Sequence, residues 1–197
     1  MAEISTAYMD KAGAFWLGTV GDGLLRSPGF GQWQGFNRAS GLAGDRITAI
    51  ERDHRNRLWV GTMTGLSVGN HNGQEWVWKK FPIPGATQIN NTLIDASRRL
   101  WISTDLGHLH YIDLNTDSLR KSLSLDEQTN FMTLDRDEQI WIGTTNHLFR
   151  IPASRDKLEE IQLSGDSKSQ PRVNSFAQDS SDAYWIATGI GLFRGDG

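Results

Sequence analysis

Five aspartates stand six residues ahead of five tryptophans: Asp10 and Trp16, Asp53 and Trp59, Asp95 and Trp101, Asp135 and Trp141, Asp179 and Trp185. A carboxylate beside an indole can be a general acid or base next to a flat platform for a substrate. Two other groupings have the residue types for chemistry. His108 and His110 have the i, i+2 spacing that puts both imidazoles on one strand face, as two metal ligands would be. Residues 18–23, GTVGDG, are glycine-rich in the manner of a phosphate-binding loop.

Each grouping fails a chemical test. Two histidines fall short of the three or four convergent groups that hold a divalent ion, and GHLHYID reads more simply as a strand with polar residues outward and Leu109 inward. GTVGDG lacks the lysine and the helix a phosphate cradle requires, and the chain has no Gly-x-Ser-x-Gly or His-Glu-x-x-His. The aspartates recur once per unit at fixed spacing, whereas catalytic residues break symmetry. The reading is therefore no catalytic residues, no metal and no cofactor.

The spacing points to a repeated element. Successive tryptophans of the set lie 43, 42, 40 and 44 residues apart, the period of a propeller blade. A threonine follows each by three places (Thr19, Thr62, Thr104, Thr144, Thr188), with a small residue between (Gly18, Gly61, Ser103, Gly143, Ala187) and a leucine beyond (Leu24, Leu66, Leu109, Leu148, Leu192). Each unit reads as four short strands, with segments such as RITAIERD, RLWVGT, GLSVGN and EWVWKKF in order. Alternation puts Trp59 and Gly61 on one face and Leu58, Val60 and Thr62 on the other, so both faces are covered. The indole fills the space between blades and the small residue lets the neighbour approach. The aspartate ends the first strand and accepts backbone N–H groups of the next turn. Gly23, Gly65, Gly107 and Gly191 suit a turn of positive φ.

The fold expected is all-β: a propeller of four-stranded antiparallel blades near 1–39, 40–83, 84–126, 127–166 and 167–197, the last lacking its fourth strand. The net charge of −3 gives no field for nucleic acid, and no apolar run is long enough to span a membrane. The N-terminus lacks the order of a secretion signal, and the absence of cysteine rules out disulfides and thiolate chemistry without naming a compartment.

The motif Asp, turn, Leu-Trp-Val/Ile-Gly-Thr, Gly-Leu resembles the two-component regulator propeller repeat, and SGLAGDRITAIERDHRNRLWVGT, residues 40–62, is similar to it throughout. The departures are Asn56, Arg98, Glu138 and Asp182 where the family has glycine three places after the aspartate, kept here only as Gly13, and His147 for the later glycine; they put turn geometry in question. The resemblance implies a sensory reader in the periplasmic part of an inner-membrane bacterial receptor with a kinase or cyclase output. It also implies a ring of about seven blades, of which this chain would be a piece. Open ends of such an arc would favour self-association.

On that reading, blades are scaffold and loops carry specificity. The candidate ligand-binding residues are Arg38, Asp45, Arg46, Asp22, Met63, Thr64, Asp105, Thr145 and Asn146, with Ser40, Leu106 and Ile190 beside them. The partner would be an unknown small molecule or protein, with no nucleic acid and no membrane contact by this segment. Two alternatives stand: a protein-interaction scaffold, with Trp76 or Trp78 exposed on an outermost strand, and a metal-dependent lyase resembling streptogramin lyase.

Overall fold

The computed structural model describes residues 3–29, 31–153, 157–163 and 171–196. They form five antiparallel sheets, each a meander in chain order. Blade 1 holds β1 (Ile4–Met9), β2 (Phe15–Thr19), β3 (Leu24–Ser27) and β4 (Gln34–Phe36). Blade 2 holds β5 (Ile47–Arg52), β6 (Leu58–Thr62), β7 (Gly65–His71) and β8 (Trp76–Phe81). Blade 3 holds β9 (Ile89–Ile94), β10 (Arg99–Thr104), β11 (His108–Asp113) and β12 (Ser118–Ser124). Blade 4 holds β13 (Thr129–Leu134), β14 (Ile140–Thr144), β15 (Leu148–Ile151) and β16 (Glu159–Ile161). Blade 5 holds β17 (Val173–Gln178), β18 (Tyr184–Thr188) and β19 (Gly191–Gly195). Among the described residues the one helical element is a 3-10 turn at Arg38–Ser40, capped by Asn37.

The first strand of each blade is innermost, with β1, β5, β9, β13 and β17 packed in succession. All five have an irregularity in pairing directly after their first residue. Such a bulge turns one side chain away from its own sheet.

Each inter-blade cluster is built alike. Trp16 packs with Ile47, Ile50, Leu58 and Val60 of blade 2; Trp59 packs with Ile89, Leu100 and Ile102 of blade 3. Trp101 packs with Ile140 and Ile142 of blade 4, and Trp141 with Val173, Tyr184 and Ile186 of blade 5. The small residue two places on makes this possible: a Cβ on Gly61 would lie 2.9 Å from Ile89 Cγ2, and one on Gly18 2.7 Å from Ile47 Cγ2.

The aspartate does more than close its turn. One carboxylate oxygen accepts turn N–H groups, as Asp53 Oδ1 does from Arg55 and Arg57 at 2.9 Å. The other accepts the indole N–H of its own blade's tryptophan, at 3.2, 2.9, 2.8, 2.8 and 2.8 Å from blade 1 to blade 5. The repeated threonines donate to a carbonyl of the next turn, as Thr19 to Gly23, Thr62 to Gly65 and Thr188 to Gly191, all at 2.8 Å.

The departures from the family pattern leave the turn intact. Asn56, Arg98, Glu138 and Asp182 take φ of 61, 60, 60 and 65°, the same left-handed region that Gly13 occupies at 82°. Hydrogen bonds from turn N–H groups to the aspartate fix the conformation, so a side chain there strains the turn by about 1 kcal/mol rather than reshaping it. His147 likewise keeps the bond of its turn, its carbonyl accepting from the Thr144 N–H at 2.9 Å.

Candidate functional site

The predicted loop residues lie where the turns after the second strands meet the junctions between blades, and several of their polar groups are already engaged. The Arg38 N–H donates to Asp45 Oδ1 at 2.7 Å, Met63 N–H to the Arg46 carbonyl at 3.0 Å, and Thr64 Oγ1 to the Ala43 carbonyl at 2.7 Å. Asp105 accepts from Thr87 Oγ1 at 2.7 Å and from the Gln88 N–H at 3.2 Å. The Asp22 N–H is taken up by Thr19 Oγ1 at 2.8 Å. Arg38, Asp45, Arg46, Met63 and Thr64 are therefore stitched together around the junction of blades 1 and 2. Asp105 sits at the next junction, and exposed Thr145 and Asn146 at the one after. Thr64 lines one of the larger depressions, a space of about 470 Å³ walled by Ala43, Lys80, Phe81, Pro82, Ile83 and Pro84.

Sequence reasoning missed Glu127. It accepts from Thr144 Oγ1 at 2.7 Å, from the Asn146 N–H at 3.1 Å and from Asn146 Nδ2 at 2.9 Å, with His147 Nδ1 at 3.1 Å. Burial works against its charge, but these donors outweigh it and pull its pKa down to about 2. A signal was available: Glu127 stands eight residues before its repeat aspartate, as Asp45 does before Asp53.

The largest of these cavities lies elsewhere. A groove of about 510 Å³ runs between β4 and β8 on the rim, lined by Arg26, Gln34, Phe36, Glu75, Trp76 and Trp78 among others. Neither tryptophan is an exposed anchor. Trp78 is 6% exposed, its ring over Gly69 of its own third strand and 5.4 Å from the Phe36 ring of blade 1. Trp76 meets the Trp16 ring edge-on at 4.9 Å. The expectation of an exposed indole at Trp78 is corrected: outer strands of neighbouring blades converge closely enough to cover it.

The histidine pair also differs from expectation. His108 and His110 share a face, their ring centroids 6.2 Å apart, but His110 is buried rather than outward. The preceding blade covers that face, where Ile102 and Ile112 pack with Trp59 of blade 2, so alternation along β11 does not make it a solvent face. Among the described residues, no three histidine or acidic side chains gather as metal ligands would.

Glu51 on β5 is registered opposite Trp59, and burial raises its pKa from 4.5 to about 7. Between pH 4.5 and 7 the folded chain keeps a proton that the unfolded chain has released, so this group lowers stability as pH rises through that window and keeps it lower above. Glu51→Gln is expected to raise stability at pH 8 by about 2 kcal/mol and to leave it nearly unchanged at pH 4.5. Urea unfolding at both values checks this; an equal effect at both would remove the titration argument.

Radial stacking of four-stranded meanders defines the chain as a β-propeller. Residues 41–64 match the family described as Two component regulator propeller, the stretch that contains Asp53 and Trp59. No curated protein matches the chain. Among solved structures it is similar to the extracellular domain of BT4673 from B. thetaiotaomicron, described as a one component system, at 25% identity and a TM-score of 0.79, covering 99% of this chain and 26% of that one. The extracellular domain of BT3049 from the same organism, described as a hybrid two component system, gives 17% identity and a TM-score of 0.78, covering 99% of this chain and 28% of that one. Virginiamycin B lyase from Staphylococcus aureus gives 12% identity and a TM-score of 0.73, covering 99% of this chain and 70% of that one, a likeness of fold. Residues 41–64 thus carry a two component regulator propeller repeat, and the chain spans about a quarter of the length of the extracellular domains it resembles.

Proposed function

We propose that this chain is a non-catalytic sensory propeller of a bacterial signal-transduction receptor. It works on the periplasmic side of the inner membrane and reads a small molecule or partner through loops on one face. The supporting observation is the likeness to the extracellular domain of a one component system at 25% identity over 99% of the chain. The repeated Asp, Trp and Thr side chains fit this reading, because each is taken up by its own blade. Chemistry or recognition then falls to groups that do not repeat, and the depression beside Thr64 is the loop-face space of ligand size.

A thermal-shift screen with small molecules tests it. A ligand at about a hundred times its Kd adds roughly 2.7 kcal/mol, a shift of about 5–10 °C for a domain of this size. The shift is expected to saturate, to vanish in Thr64→Arg, and to leave the ligand chemically unchanged by mass spectrometry. Conversion of the ligand to product would overturn the non-catalytic reading. A saturable shift that Thr64→Arg leaves in place would move the site off this face.

A further inference from the structure

Blades 1 and 4 put the same cation in the same place. Arg26 on β3 and Arg150 on β15 each stand two residues after the repeat leucine and are registered opposite the repeat tryptophan of their blade. Both are half-buried, and their guanidinium carbons lie 5.4 Å from the Trp16 ring and 5.8 Å from the Trp141 ring. The fourth strands answer them differently. Across from Arg150, Glu159 on β16 accepts from Arg150 Nη2 at 2.9 Å and completes an ion pair. Across from Arg26 the same position is Gln34 on β4, whose Oε1 accepts from Arg26 Nη1 at 3.1 Å. The amide holds the guanidinium without neutralising it, and among the described residues no carboxylate pairs with Arg26.

Beside the uncompensated charge there is room. Arg26 and Gln34 line the groove of about 510 Å³ between blades 1 and 2, together with Phe36, Trp76 and Trp78. The Trp76 and Trp78 rings are stacked 5.7 Å apart, and the Phe36 ring lies 5.4 Å from that of Trp78, so the three form a continuous aromatic wall. Arg26 Nε and the indole N–H groups of Trp76 and Trp78 are buried without a hydrogen-bond acceptor. A positive charge and spare N–H groups both favour a bound anion, and flat rings favour a flat body attached to it. Glu75 also lines the groove, exposed and unpaired with Arg26, and its charge selects against a ligand that carries more than one negative charge.

We propose that this groove binds a small aromatic carboxylate. At Arg26 the ligand's carboxylate takes the place that Glu159 takes in blade 4, and its ring lies against the wall of Phe36, Trp76 and Trp78. The carrying observation is the break in the repeat: the same arginine over the same indole has a carboxylate across from it in blade 4, and an amide and a groove in blade 1. The volume is that of a small-molecule site. It lies at the opposite end of β8 from the depression beside Thr64, and it stands whether or not that depression holds a ligand.

Calorimetric titration of the intact chain with benzoate and with indole-3-acetate tests this. Each acid is expected to bind saturably, one per chain, and benzamide, which keeps the ring and loses the charge, at least about tenfold more weakly. Gln34→Glu gives blade 1 the ion pair of blade 4. It replaces an exposed amide, so the variant is expected to unfold like the parent and to bind neither acid. Arg26→Gln is expected to weaken both acids about tenfold or more, and Glu75→Gln to tighten them roughly threefold by removing a like charge. Thr64→Arg is expected to leave their affinity unchanged. Absence of binding by both acids would overturn the proposal, as would undiminished binding by folded Gln34→Glu, or benzamide or a neutral sugar binding as tightly as the acids. Loss of binding in Thr64→Arg would also overturn it, by placing the acids in the loop-face depression.

Discussion

Trp101→Ala is expected to destabilise the fold by about 4 kcal/mol, the range for removing a buried aromatic side chain. Trp101 is fully buried between blades 3 and 4, its N–H bonded to Asp95 at 2.8 Å and its ring 5.2 Å from that of Tyr111. Truncation opens a void walled by Ile140, Ile142 and Phe149, and these are held in strands that cannot collapse inward. It also leaves one oxygen of the buried Asp95 with one donor fewer, although Arg99 still donates to it at 2.8 Å. Trp185→Ala makes the comparison. That indole has the same sequence position and the same bond to its aspartate, but it is only partly buried. Its loss is expected to cost roughly half as much, because less surface returns to water and no sealed void forms. Denaturant unfolding of the two variants measures the difference. Equal losses would mean that the tryptophan stabilises its own turn and contributes little to the joint between blades.

That contrast marks what a sequence carries. The period of the tryptophans gave the blades, because a large ring between stacked sheets demands a small residue and a flanking aliphatic at fixed offsets. The bond from each indole to its aspartate was not legible, since it depends on how far the turn folds the first strand back over the second. Nor was the left-handed backbone of Asn56, Arg98, Glu138 and Asp182, residues with no intrinsic preference strong enough to announce it. Period-2 alternation assigned His110 and Trp78 to a face but could not say which neighbour covers that face, and both turned out buried. What the loop residues touch was not foreseeable, because Glu127 reaches Asn146 across 19 positions and Thr87 reaches Asp105 across 18.

The repeated carboxylate gives the sharper test of structure against chemistry, and Asp53→Ala is expected to cost about 3 kcal/mol. Asp53 has a fully buried side chain that accepts from Arg55 N–H, Arg57 N–H, Arg57 Nε at 2.6 Å and Trp59 Nε1 at 2.9 Å. Removing one partner of a buried ion pair ordinarily costs about 3–5 kcal/mol, because the other charge is left uncompensated. Here Arg57 keeps a second partner: Asp117 of blade 3 accepts both of its terminal nitrogens at 2.8 Å. That holds the expected loss to the lower end. Asp53→Asn should recover only part of it. Its amide oxygen can still accept the turn N–H groups, but its NH₂ would face the donors of Arg57 and Trp59. Two measurements separate the readings. If Asp53 is joinery, both variants lose stability in urea in the order Ala, then Asn, while a bound ligand keeps its affinity once the folded fraction is accounted for. If Asp53 were a catalytic or ligand-contacting carboxylate, Asp53→Asn would abolish binding or turnover with little change in the unfolding midpoint. That outcome would undo the structural account of all five aspartates, since the same bond to an indole recurs in every blade.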